Sequence, residues 1–291
     1  MTLPPPPTFA VTGASGAIGG RVARRLAEAG AEQVLIVRDA ARAPQIAGAP
    51  VRLADYDDPE ALRAAFEGIS TLFLVSAAEH PERVRLHRQV VDAAVEAGVT
   101  RVVYLSFVAA TPDATFTFAR DHYATEELLR ATGLASTFLR DSMYQDFIPS
   151  FAGADGVMRG PAGDGAVAAV ARDDIADVAA RVLLEPERHD DRTYDITGPA
   201  AFTLTEAAEL LTEVTGRPVR YENETEEQAY ASRAGAGPDY AVAGWVSSYQ
   251  AIANGELSAV SDAVREITGS PATSFRDLLR RNPETWAHLL P

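Results

Sequence analysis

The segment Gly13-Ala14-Ser15-Gly16-Ala17-Ile18-Gly19 has the residue types and spacing of an anion site. It follows a β-rich run, Thr8–Thr12, and opens a stretch with apolar residues at Ile18, Val22, Leu26 and Ala29, a helical repeat. At Gly13 and Gly16 the backbone can approach a pyrophosphate with no Cβ in the way. The helix start offers free N–H groups and the positive end of its dipole. Gly19 lets the helix pack close to the strand. A GxxGxxG turn between strand and helix predicts dinucleotide binding, with Ser15, Ala17 and Ile18 completing the loop.

Further candidates stand where other strands should end. Gln33–Val37 is followed by Arg38, with Arg42 one helical turn beyond. A guanidinium there can pair with a 2′-phosphate, and no carboxylate directly caps the strand as an NAD-selective site requires, although Asp39 is adjacent. The expected cofactor is therefore NADPH (NADP). Asp55 and Tyr56 are placed for adenine contact. Ser76, Ala77, Ser106 and Phe107 should flank the nicotinamide and its ribose, and Val108, Met143, Tyr144 and Phe147 should wall the substrate. Phe147, Phe151, Tyr240, Trp245 and Tyr249 could form an apolar lid over a planar molecule.

Composition removes whole classes of chemistry. The 291 residues contain no cysteine, and all 26 basic residues are arginine. Thiol nucleophiles, Cys-ligated metals, Schiff-base lysines and a Tyr-x-x-x-Lys dyad are thereby excluded. The histidines His80, His87, His122, His189 and His288 show no metal-ligand spacing, so no metal site is expected. A formal charge of −15 makes the chain a poor general binder of nucleic acid. No run approaches the ~20 apolar residues of a membrane helix, and the N-terminus lacks a basic and apolar leader. The expected setting is the cytoplasm, with no membrane partner. Pro4–Pro7 should form a short extended arm.

The elements that must position these residues alternate. Strands are expected at Gln33–Val37, Val51–Leu53, Thr71–Ser76, Arg101–Ser106 and Ser136–Leu139, separated by helices at Ala17–Ala29, Pro59–Phe66, Glu82–Ala97 and Phe118–Thr132. Continuous apolar strands between helices imply an α/β fold, a doubly wound parallel Rossmann-like sheet binding ligands at the carboxyl ends of its strands. Residues 1–150 form the NADP-binding domain. Residues 151–291 form a smaller mixed α/β substrate-binding subdomain, with a helix at Asp173–Leu184 and a strand at 192–197 returning to or beside the main sheet.

Five segments carry a family resemblance: VTGASGAIGGRVARRLAEAG, LIVRDAAR, LADYDDPEALRAAF, HYATEELLRATGLASTFLR and FRDLLRRNPETW. Together they resemble the NmrA-like atypical short-chain dehydrogenase/reductase family, and within it the NADPH-dependent type 2 quinone oxidoreductases. The resemblance implies a nicotinamide cofactor and a substrate pocket built from the C-terminal part. It also places His122 where many relatives keep a catalytic lysine, and implies that His122 holds the ribose or assists protonation. The turn Leu139-Arg140-Asp141-Ser142-Met143-Tyr144 resembles the family's LRPGxY or LRNGxY, with Asp141 and Ser142 as departures.

Reducing a simple ketone leaves an alkoxide that needs an acid, whereas reducing a quinone leaves a far weaker base. Absence of the Tyr-Lys pair thus points to an NADPH-dependent oxidoreductase acting on a quinone or related planar aromatic acceptor, with His122 and Tyr144 as the catalytic candidates. The Ala- and Arg-rich composition, similar to that of actinobacterial proteins, suggests aromatic polyketide tailoring. Two alternatives are a ketone, imine or enone reductase and a non-catalytic NADP(H) sensor acting through a protein partner. The oligomeric state is open.

Overall fold

The run QVLIV is buried along its whole length and TLFLV as far as Leu74, and a strand buried on both faces needs helices on both sides. The structure, a computed structural model, describes residues 9–290, so the Pro4–Pro7 arm lies outside the described residues. The first half alternates β1 (Phe9–Val11), α1 (Ala17–Glu28), β2 (Gln33–Val37), β3 (Val51–Leu53), α2 (Pro59–Phe66), β4 (Thr71–Val75), α3 (Arg83–Glu96), β5 (Arg101–Phe107), α4 (Thr117–Arg130) and β6 (Ala135–Asp141). Then follow β7 (Val157–Gly160), β8 (Ala166–Val167), α5 (Arg172–Leu184), β9 (Thr193–Ile196), β10 (Phe202–Thr203), α6 (Leu204–Thr215), β11 (Arg220–Asn223), α7 (Glu226–Ser232), α8 (Asp239–Ala253), α9 (Ala263–Thr268) and α10 (Phe275–Arg281).

The main sheet has seven strands in the order β3-β2-β1-β4-β5-β6-β9, and every pairing in it is parallel. The order reverses between β1 and β4, which opens a crevice at their carboxyl ends. Strand alternation divides the core. Val11, Phe73, Val103, Leu105 and Leu139 pack with Val22 and Leu26 of α1 and Ile175 and Val178 of α5. Ala10, Leu72, Leu74, Tyr104 and Phe138 pack on the other face with Leu62 of α2, Val90 of α3 and Leu129 of α4. Each fully buried Val, Leu, Ile or Phe side chain among them contributes roughly 1.5–3 kcal/mol.

The segment after residue 150 does not stand apart. Helix α5 packs on α1, bound by Arg25 Nη2 to Asp173 Oδ1 at 2.9 Å and Arg21 Nε to the same oxygen at 3.1 Å. Strand β9 pairs with β6 from Phe138↔Thr193 to Asp141↔Ile196. Residues 172–196 thus complete the Rossmann-like unit. The smaller part is built by the β7/β11 and β8/β10 pairs with α6, α7, α8 and α10 around a separate core. Among the described residues no helix is long and apolar enough to cross a membrane.

Candidate active site

Helix α1 opens without a side-chain cap: Gly16 is its N-cap, and the first turn holds no acidic residue. Its first N–H groups are therefore available to an anion. Gly13 adopts a left-handed φ of +59°, which turns the chain out of β1. At Gly19 an added Cβ would lie 2.4 Å from the Gly13 carbonyl oxygen, so only glycine allows the helix to sit this close to the turn. The turn and helix start fit a pyrophosphate.

A cavity of about 860 Å³ runs from this turn across the strand ends to the smaller part of the molecule. Gly13, Gly16, Ala17, Ile18 and Gly19 line its start. Ser76, Ala77, Phe107 and His122 line its middle, and Met143, Tyr144 and Phe147 its wall. Phe151, Trp245 and Tyr249 line the far end, with Phe147–Phe151 rings 5.6 Å apart and Phe151–Tyr249 rings 5.3 Å apart. Tyr240 is not among the lining residues; its hydroxyl reaches the Glu79 carbonyl at 3.4 Å.

Several other candidates do not line this cavity. Ser106 is fully buried and donates to Glu126 Oε1 at 2.6 Å, on the α4 face of the sheet. The period of two explains this: Phe107, the next residue, faces the cavity instead. The Val108 side chain packs in the core of the smaller part, while its N–H donates to the Asp141 carbonyl at 2.9 Å. Tyr56 does not line the cavity; its hydroxyl donates to the Val75 carbonyl at 2.6 Å and lies 2.7 Å from Thr12 Oγ1, tying strand ends together. Ser15 is half-buried in the turn and is not among the residues lining this cavity. Arg38, Arg42 and Asp55 are exposed beyond β2 and β3, outside the cavity. Neither arginine side chain has a hydrogen-bond or ion-pair partner among the described residues.

His122 is 7% exposed, and both ring nitrogens are engaged. Arg83 Nη2 lies 3.2 Å from Nε2, and Tyr104 Oη 3.0 Å from Nδ1. A guanidinium can only donate, so Nε2 accepts and Nδ1 carries the proton toward Tyr104. Tyr104 Oη lies 3.1 Å from Ser76 Oγ, which donates to the Leu105 carbonyl at 2.8 Å. Burial, then the charge of Arg83, then His87, hold the His122 pKa well below its ordinary value. The ring is therefore neutral near pH 7, and with both nitrogens committed it is not poised to donate a proton. His87 is similar: it accepts from the Ala77 N–H at 2.8 Å, and burial with Arg83 pushes it down to about 3.

Sequence reasoning missed Arg83 as a lining residue. It lies at the start of α3, 9% exposed at its side chain, and donates to the Ala77 carbonyl at 2.9 Å. The signal was its spacing of four from His87, which puts both on one helix face toward the end of β4. Glu126 was also missed. Fully buried, it accepts from Ser106, from Arg140 Nε and Nη2 at 2.8 and 2.7 Å, and from Arg130 Nη2 at 3.0 Å. This four-bond carboxylate locks α4, carrying His122, against β6, which ends at Asp141.

Residues 13–186 match the NAD(P)H-binding family. The chain is 35% identical over 277 residues to quinone oxidoreductase 2 of Escherichia coli, covering 92% of this chain and 96% of that protein. It is 32% identical over 276 residues to the NAD(P)H azoreductase of Xenophilus azovorans, covering 93% and 96%. Among solved structures, the NADPH complex of an E. coli NADPH-dependent quinone oxidoreductase superposes with a TM-score of 0.87 at 34% identity, over 94% of this chain and 99% of that one. The uncapped glycine turn, the strand order and these matches agree: the chain belongs to the NAD(P)H-binding family.

Proposed function

We propose that the protein is an NADPH-dependent oxidoreductase whose acceptor is a quinone or a related flat conjugated molecule. The observation that carries this reading is the continuity of one cavity from the glycine turn to a wall of aromatic rings. One end suits a dinucleotide and the other a planar acceptor, so the two would meet over the ends of β4, β5 and β6. When bound, the reduced nicotinamide supplies hydride. Gly13, Gly16 and Gly19 seat the pyrophosphate, and Arg38 with Arg42 binds the 2′-phosphate. Ser76, Ala77 and Phe107 flank the nicotinamide and ribose, and His122 lines the cavity beside them, its ring fixed by Arg83 and Tyr104. Arg83 brings to this place the fixed positive charge that no lysine can provide. Met143, Tyr144 and Phe147 wall the acceptor; a quinone of aromatic polyketide origin has the shape for that wall. The relatives named for quinone and azo reduction support the acceptor class.

The test is steady-state oxidation of NADPH and NADH against a quinone, an azo dye and a saturated ketone. Quinone turnover with NADPH should be the fastest pair. Arg38→Ala should raise KM for NADPH by about 10- to 100-fold, the worth of a charge-assisted hydrogen bond, and leave NADH nearly unchanged. Equal weakening of both nucleotides would remove Arg38 from the 2′-phosphate site. No oxidation of either nucleotide by any acceptor would overturn the reading.

A further inference from the structure

Two carboxyl groups line the cavity. Glu79 stands at the exposed rim, where it accepts from Trp245 Nε1 at 3.0 Å. Asp141 lies inside, 3% exposed, at the last position of β6. Its Oδ2 accepts from the Tyr144 hydroxyl at 2.9 Å. Among the described residues no cation pairs with it. Arg140, its chain neighbour, points to the opposite face of the sheet and is held by Glu126. Arg83, from α3, is committed to the Ala77 carbonyl, His122 and, at 4.0 Å, the Asp121 carboxylate. Arg172, at the start of α5, stacks on the Tyr144 ring at 4.9 Å. His122, from α4, is neutral. The flanking strands supply only Phe107 and Ile196 opposite Asp141.

A carboxyl buried with one hydroxyl donor and no paired cation favours its protonated form. Burial indeed raises the Asp141 pKa well above the carboxylate range, with the Tyr144 hydrogen bond and the more distant Arg83 and Arg172 pulling the other way. Tyr144 occupies Oδ2, so the proton resides on Oδ1.

We infer that Asp141 is the proton source of the reduction, delivering its carboxyl proton to the acceptor oxygen or nitrogen as hydride arrives. This rests on the function proposed above. The acceptor gains hydride, and with it two electrons, from the reduced nicotinamide. It gains a proton as the Asp141 Oδ1–H bond breaks. Asp141 is left as a carboxylate opposite the positive charge of the oxidised nicotinamide ring, and solvent returns the proton once the products leave. Acceptors whose reduced form is strongly basic, such as azo and carbonyl compounds, thereby come within reach despite the missing Tyr-Lys dyad.

The test is calorimetry of nucleotide binding in buffers of different protonation enthalpy. At about pH 6, NADP binding should release close to one proton more than NADPH binding, because the charged ring favours the Asp141 carboxylate. The 2′-phosphate is common to both nucleotides and cancels in the difference. Asp141→Asn should bind both with the same proton count. Infrared difference spectra of the wild type should lose a protonated-carboxyl band when NADP replaces NADPH, which needs no variant. Equal proton counts in the wild type, or an undiminished difference in Asp141→Asn, would overturn the inference while leaving the reductase reading intact. Failure of both nucleotides to bind would overturn the two together.

Discussion

Gly19→Ala is expected to cost about 3 kcal/mol or more in stability and to abolish measurable nucleotide affinity. The added Cβ would meet the Gly13 carbonyl oxygen at 2.4 Å, the Gly13 carbonyl carbon at 2.7 Å and the Thr12 oxygen at 2.8 Å. All three are backbone atoms, so no side chain can swing aside. Relief requires α1 to move off β1, and that movement opens the turn in which Gly13 and Gly16 meet the pyrophosphate. Gly98→Ala provides the contrast. Gly98 has a φ of +79° but open space around its Cβ position, so its replacement should cost only about 1 kcal/mol of backbone strain. Thermal denaturation with nucleotide titration checks both. A Gly19→Ala protein with wild-type melting temperature and affinity would contradict the close-packing account.

Glu126→Ala carries the second large effect. The carboxylate is fully buried and holds Ser106, Arg130 and Arg140, the last through two hydrogen bonds. Removing it strands the Arg140 guanidinium beneath the sheet end. Breaking a buried pair from one side costs about 3–5 kcal/mol. The double variant Glu126→Leu with Arg140→Met should recover most of that loss, because it removes both charges and restores apolar contact. Denaturant titration of the single and double variants measures this. A double variant no more stable than Glu126→Ala would show that the cost lies in packing and not in the unpaired charge.

The two networks also show what sequence can and cannot disclose. The apolar run QVLIV and the short segment Val51–Leu53 were read as β2 and β3 at their observed limits, and Pro59 marked the first turn of α2. The GxxGxxG turn was readable because its chemistry is local: strand, turn and helix adjoin in the chain. The strands β7, β8 and β10 were not: they pair outside the main sheet, and β8 and β10 hold only two residues each. Strand faces were the larger difficulty. Ser106 and Phe107 both follow an apolar run, but the alternation that sends one to Glu126 and the other to the cavity depends on where β5 ends. Extension of β6 to Asp141 likewise turned an anticipated loop residue into a cavity carboxyl. Arg83 escaped notice because its role depends on meeting His122, 39 positions away, across two helices. The absence of lysine was plain in the composition. The guanidinium that Arg83 places beside His122 from a different helix needed the fold.

The central claim is that hydride passes within this cavity from NADPH to a planar acceptor. Anaerobic stopped-flow oxidation of enzyme-bound NADPH by an excess of a 1,4-quinone tests it most directly. The account predicts one hydroquinone formed for each NADPH consumed, with no semiquinone signal and a slower reaction when the transferred hydrogen is deuterium. Tight NADPH binding with no oxidation by the quinone would contradict it, and would mark the protein as a nucleotide sensor.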